Sequence, residues 1–124
     1  MKKVIWADDD TGFIKDIASI LSRDCKKRGI ELTFTSVSSG ESLVEKVRQE
    51  QFDLIFTDNQ MWIMSGLQAV SSIRQFNPKI PIYIVSTDGG IETEALSVGA
   101  TGYINKFHKP WDKALEIIAL SGNY

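Results

Sequence analysis

Apolar positions along the chain fall into short runs that alternate with helical spacings. Residues 3–7 form the first run. Phe13, Ile14, Ile17, Ile20 and Leu21 then recur at the three- and four-residue steps of an amphipathic helix, and Gly29 supplies the residue that ends it. Ile30, Leu32 and Phe34 alternate with polar neighbours across 30–37, the pattern of a second strand. Ser38 and Glu41 have capping-box spacing ahead of Leu43, Val44 and Val47, a second helix. Residues 53–57 read as a third strand, and Leu67, Val70 and Ile73 mark a third helix that closes near Asn77-Pro78. A fourth strand follows at 80–85, a short helical pattern at 91–97 and a fifth strand at 101–105. Pro110 suits the first turn of a last helix carrying Ala114, Leu115 and Ile118.

These are five strand–helix units. Strands 1, 3 and 4 are continuous apolar runs, as parallel strands covered on both faces are. Right-handed crossovers then give an open α/β sheet with helices on both sides. Such sheets bind ligands beyond the carboxyl ends of their strands. The stretch VIWADDD puts Asp8, Asp9 and Asp10 at the end of strand 1, and FDLIFTD puts Asp58 at the end of strand 3. Strand 4 ends in Ser86-Thr87 and strand 5 in Asn105-Lys106.

Composition narrows the picture. With 124 residues, 43% of them hydrophobic, the chain is long enough to bury one core without a disulfide or a structural metal. The 14 basic and 16 acidic residues show no basic bias, which argues against direct contact with nucleic acid. The single Cys25 is read as packing, and the chain is expected in the cytoplasm. No apolar run approaches the ~20 residues of a membrane span. His108, the only histidine, reads as an exposed loop residue, and Trp6 as strand packing.

Clustered carboxylates repel: two unit charges ~4 Å apart cost about 4 kcal/mol at an effective dielectric of ~20. Such a cluster calls for a proton or a cation. Oxygen donors without His or Cys suit Mg²⁺, with Mn²⁺ as the second choice, rather than zinc. Asp10 has the alternative role of a helix cap. A carboxylate, a hydroxyl, a lysine and a metal are together the parts that hold a phosphoryl group, and a carboxylate is able to act as its nucleophile.

The stretches VIWADDD, DLIFTDNQMWIMSG, PIYIVST and GATGYINK resemble those of two-component response regulator receiver domains, and the resemblance covers essentially the whole chain. It implies a flavodoxin-like (βα)5 fold with strand order 2-1-3-4-5 and a single receiver domain over 1–124; no output domain is expected in this chain, which reads either as a stand-alone regulator or as a receiver cut from a longer one. It implies Asp58 as phosphoacceptor, Asp8 and Asp9 with Asp58 and the Gln60 carbonyl as Mg²⁺ ligands, Ser86 as the switch hydroxyl, Lys106 as the phosphoryl-pairing lysine and Tyr103 as the aromatic switch. Gly66 opens the third helix as in the family. The partners implied are a histidine kinase or phosphotransfer protein and a downstream protein target, with the helix 4–strand 5–helix 5 face as the switching surface. Such a domain is a signalling element and not an enzyme. The sequence departs from the family where Trp62 replaces a usual proline, Ser65 a usual aspartate and Thr87 a small residue. Phe107 rather than proline follows Lys106, and a Lys-Pro pair comes three residues later, making Lys109 the rival site lysine. Trp62 is expected to cover the apolar rim of the pocket. Two other readings stay open: a degenerate receiver that binds without being phosphorylated, and a haloacid-dehalogenase-like phosphotransferase with Asp8 as nucleophile.

Overall fold

The computed structural model describes residues 1–121. Five parallel strands form one sheet in the order β2-β1-β3-β4-β5. They are β1 (Lys2–Ala7), β2 (Leu32–Val37), β3 (Leu54–Thr57), β4 (Ile82–Ser86) and β5 (Gly102–Asn105). The helices are α1 (Thr11–Lys27), α2 (Gly40–Gln49), α3 (Gly66–Phe76), α4 (Glu92–Ser97) and α5 (Pro110–Leu120). A 3₁₀ turn, Gly89–Ile91, runs directly into α4.

The central strands are buried along nearly their whole length, while the edge strands β2 and β5 are half-buried. The sheet separates two apolar layers. Ile5, Ile55, Ile82 and Ile84 face Leu43, Val70 and Ile73 of α2 and α3. On the other side Val4, Trp6, Phe56 and Ile104 face Ile17 and Leu21 of α1 and Ile118 of α5. Trp6 stacks on Phe56 with ring centroids 4.6 Å apart, and Cys25 is buried in this same layer.

Several boundaries differ from the sequence pattern. The second strand begins at Leu32 rather than Ile30, because Gly29 adopts φ 71° and the Ile30 N–H turns back to the Cys25 carbonyl. The cap of α2 is Ser39, whose hydroxyl accepts the Ser42 N–H, not Ser38. Gly40, the next residue, lies against Met64, where a Cβ would strike the backbone carbonyl. A full capping box does form at α3, between Ser65 and Gln68. The fifth strand starts one residue late, since the Thr101 hydroxyl is used to accept the Ile82 N–H. Pro110 is the first residue of α5 as expected.

Candidate functional site

The register of the sheet brings the ends of β1 and β3 side by side, Ala7 pairing Thr57. The Asp58 N–H continues the ladder to the Ala7 carbonyl at 2.8 Å, and the Asp8 N–H reaches the Val37 carbonyl at 3.0 Å. Asp8 and Asp58 are therefore fixed by backbone pairing and both buried, while Asp9 is exposed between them and solvent. One carboxylate oxygen from each of Asp8, Asp9 and Asp58 lies within 4.8 Å of the others.

Each buried carboxylate has defined partners. Asp8 Oδ1 accepts the Asp10 N–H at 2.9 Å and Oδ2 accepts Lys106 Nζ at 2.7 Å. Lys106 Nζ stands 3.9 Å from Asp58 Oδ2. Asp58 Oδ1 accepts the Asn59 N–H at 2.9 Å, and the Gln60 amide adds to it. Asp10 caps α1, its Oδ1 accepting the Phe13 N–H at 3.0 Å. Lys106 is thus the lysine within reach of both carboxylates, while Lys109 lies in the exposed turn leading into α5 with φ 45°.

One ammonium does not neutralise this cluster. Burial, followed by the neighbouring charge of Asp8, pushes the Asp58 carboxyl up to about 6. Burial also raises Asp8, against the opposing pull of Lys106 and the Asp10 amide. The donor set is all oxygen and carries excess negative charge, with Asp8 and Asp58 buried and Asp9 open to solvent. These residues fit a hard divalent cation such as Mg²⁺.

The β4 and β5 ends form the other wall. Ser86 is fully buried, and its Oγ accepts the Asp88 N–H at 3.1 Å. The Tyr103 hydroxyl donates to the Ser86 carbonyl at 2.9 Å, and the Lys106 N–H donates to that same carbonyl at 2.9 Å. Burial, with Asp88 and Glu92 nearby, raises the Tyr103 phenol above its ordinary value. Thr87, next to Ser86, is exposed. Trp62 corrects the expectation of a pocket cover: it is 80% exposed, and the loop carries it outward together with Ile63, 76% exposed with φ 69°.

The sequence pattern did not reveal the site roles of two residues. Asn59 organises the β3–α3 loop: its side-chain oxygen accepts the Leu67 N–H, and its carbonyl accepts the Met61 and Gly66 amides. An Asn directly after a strand-end Asp is the signal that could have marked it. Phe13 places its ring under Lys106 Nζ, 4.4 Å from the centroid. No local pattern marks it, since its spacing reads as ordinary core.

The profile of the response regulator receiver domain matches residues 4–119. The chain belongs to that family. The transcriptional regulatory protein ZraR of Escherichia coli (strain K12) is 31% identical over 105 residues, which is 83% of this chain and 22% of ZraR. The putative two-component response regulator ARR21 of Arabidopsis thaliana is 35% identical over 109 residues, 88% of this chain and 17% of that protein. The receiver thus spans about a fifth of the length of these curated relatives. In fold it is similar to the receiver domain of the Francisella response regulator 1452, with TM-score 0.77, 23% identity, and 96% and 94% of the two chains covered. The signal receiver domain of the putative regulator NarL from Mycobacterium tuberculosis gives TM-score 0.78 at 20% identity, covering 95% and 96%. Receivers of this family are regulatory domains of two-component signalling rather than classical enzymes. Among the described residues no helix is long and apolar enough to cross a membrane.

Proposed function

We propose that this receiver accepts a phosphoryl group on Asp58 from the phosphohistidine of a histidine kinase or phosphotransfer protein, with Mg²⁺ bound, and passes the change to a downstream protein. The observation that carries the reading is the Asp58 carboxylate itself, buried at the end of β3 with Asp8 and Asp9 gathered within 4.8 Å and Lys106 Nζ 3.9 Å away. An Asp58 oxygen attacks phosphorus, the phosphorus–nitrogen bond breaks, and the electron pair leaves with the imidazole, which takes a proton from solvent. Asp8, Asp9, Asp58 and the Gln60 carbonyl would hold Mg²⁺, or Mn²⁺ in its place. The cation supplies charge neutralisation for the transferring phosphoryl oxygens. Lys106 supplies a second positive charge, and the Ser86 hydroxyl a hydrogen bond to a phosphoryl oxygen.

Ser86 also supports a route outward. Its hydroxyl holds the Asp88 amide that leads into the 3₁₀ turn and α4, and its carbonyl holds the Tyr103 hydroxyl on β5. Drawing Ser86 toward a phosphoryl group therefore pulls on both, and the α4–β5–α5 face is the surface that changes.

Asp8 is a poor candidate for nucleophile, because one oxygen accepts the Asp10 amide and the other pairs with Lys106. Asp10, the second acid of the Asp8-x-Asp10 pair, is occupied as the cap of α1. Mass-spectrometric mapping after incubation with acetyl phosphate and Mg²⁺ tests the reading. Modification at Asp58 is the expected outcome. Modification at Asp8 would favour the phosphotransferase reading, and no modification the degenerate receiver.

A further inference from the structure

Lys106 has a neighbour beyond its two carboxylates. Its ammonium lies over the face of Phe13, 4.4 Å from the ring centroid, while reaching Asp8 at 2.7 Å and Asp58 at 3.9 Å. The ring is held from several sides. Phe13 is the third residue of α1, and its N–H is bound by Asp10, whose own N–H is bound to Asp8. The fully buried Trp6 meets the ring edge-on, with centroids 6.2 Å apart and planes at 63°. Helix cap, acid and aromatic ring are thus joined in one short chain of contacts.

The face of an aromatic ring attracts an ammonium, more strongly where water is excluded. The Lys106 side chain is only 16% exposed. Its four-carbon stem is otherwise flexible. A cation that took Asp8 would leave the ammonium only its longer contact with Asp58, at 3.9 Å, among the carboxylates. A further carboxylate in place of Phe13 would fix the lysine, but it would add repulsion to a site that already holds three acids. A ring adds no charge, and its face attracts an ammonium within about 6 Å of the centroid.

We propose that Phe13 is a positioning residue, whose ring holds the Lys106 ammonium beside the acid cluster and lets it pass from Asp8 to Asp58 when a divalent cation occupies Asp8. This rests on the phosphoryl-acceptor reading for the role of Asp58 as the destination. Lys106, released from Asp8, has Asp58 as its next carboxylate and does not leave the ring to reach it.

The test compares Phe13→Leu with Phe13→Tyr, which keeps the ring. Three readouts are taken: Mg²⁺ affinity by calorimetry, the Lys106 side-chain proton shifts during a Mg²⁺ titration, and the rate of Asp58 labelling by acetyl phosphate at saturating Mg²⁺. In the wild type the Lys106 methylene protons stay ring-shifted throughout the titration. Phe13→Leu labels about three- to tenfold more slowly, a range set by a partly buried cation–π contact. Its Mg²⁺ affinity is undiminished, because the ammonium competes less for Asp8. Phe13→Tyr restores the rate, and in a Lys106→Met background Phe13→Leu has no further effect. General damage to the fold would instead weaken Mg²⁺ binding and labelling together. The proposal is overturned by wild-type labelling in Phe13→Leu, by joint loss of metal binding and labelling without rescue by Tyr, or by wild-type Lys106 shifts that move to solvent values as Mg²⁺ binds. Absence of Asp58 labelling in the wild type would remove the acceptor reading, and the Lys106 shifts would still decide the role of Phe13.

Discussion

The loops after β1 and β3 and the segment after β4 share one end of the sheet and are built in opposite ways. At the acid end the side chains of Asp8, Asp10, Asp58 and Asn59 are all engaged in hydrogen bonds. Both oxygens of Asp8 are bonded, Asp10 caps α1, and Asn59 ties the β3–α3 loop through its side chain and its carbonyl. Gly66 packs so tightly that a Cβ there would overlap the Asp58 carbonyl oxygen. The segment after β4 is a three-residue 3₁₀ turn and a six-residue helix. Ile91, at the start of α4, makes no side-chain cap, Ala95 is the one buried residue of α4, and Leu96 is 49% exposed. Transfer chemistry needs atoms held still; a readout needs a segment that is cheap to move. Ser86 and Tyr103 join the two.

Paired glycines and one acid break or sharpen this contrast. The largest effect is expected for Gly66→Ala, whose Cβ would drive into strand-end backbone that has no freedom to yield. Loss of about 3 kcal/mol in urea unfolding is expected, the upper range for overpacking. A loss below about 0.5 kcal/mol would show the β3–α3 loop to be as adaptable as the α4 segment.

Asp58→Asn comes next, with the opposite sign. Folding raises the Asp58 carboxyl from 3.8 to about 6, so the fold favours its protonated form. The stability this group contributes is complete below pH 3.8, is lost as pH rises through about 6, and is absent above that. A rise of this size corresponds to at most about 3 kcal/mol. In metal-free buffer Asp58→Asn is therefore more stable than the wild type at pH 7, and the difference closes toward pH 4. Urea midpoints at the two pH values check it; parallel pH dependence in the two proteins would deny that burial and the Asp8 charge raise this carboxyl. By the same proton competition, Mg²⁺ affinity falls as pH drops below about 6.

The smallest effect belongs to Gly89→Ala in the 3₁₀ turn. A Cβ there meets nothing within 4 Å, so only unfolded-state entropy changes. A gain of about 0.5 kcal/mol is expected in the same urea assay, and a loss of more than about 1 kcal/mol would show a hidden constraint.

The strands and the acids at their ends were legible because buried parallel strands are unbroken apolar runs, and a charge at such a boundary stands out. Lys106 was legible for the same reason, and Ser86 as the polar residue on which the apolar run of β4 ends. Caps were less so: Ser38 and Ser39 are adjacent and chemically alike, and only Ser39 meets the Ser42 N–H. Trp62 was misread because its side chain follows a loop in which Ile63 takes φ 69°, and apolar character alone does not say which way a loop turns. Phe13 under Lys106 joins residues from α1 and the end of β5, a distance no local spacing encodes.

Hydrogen exchange with and without beryllofluoride plus Mg²⁺, a non-covalent mimic of a phosphoryl group, tests the link between the two regions most directly. The account predicts slow exchange at 54–58 in both states, with fast exchange at 88–98 that slows when the mimic binds. Exchange at 88–98 as slow as at 54–58 in the free protein, or unaltered by a mimic shown to be bound, would contradict it.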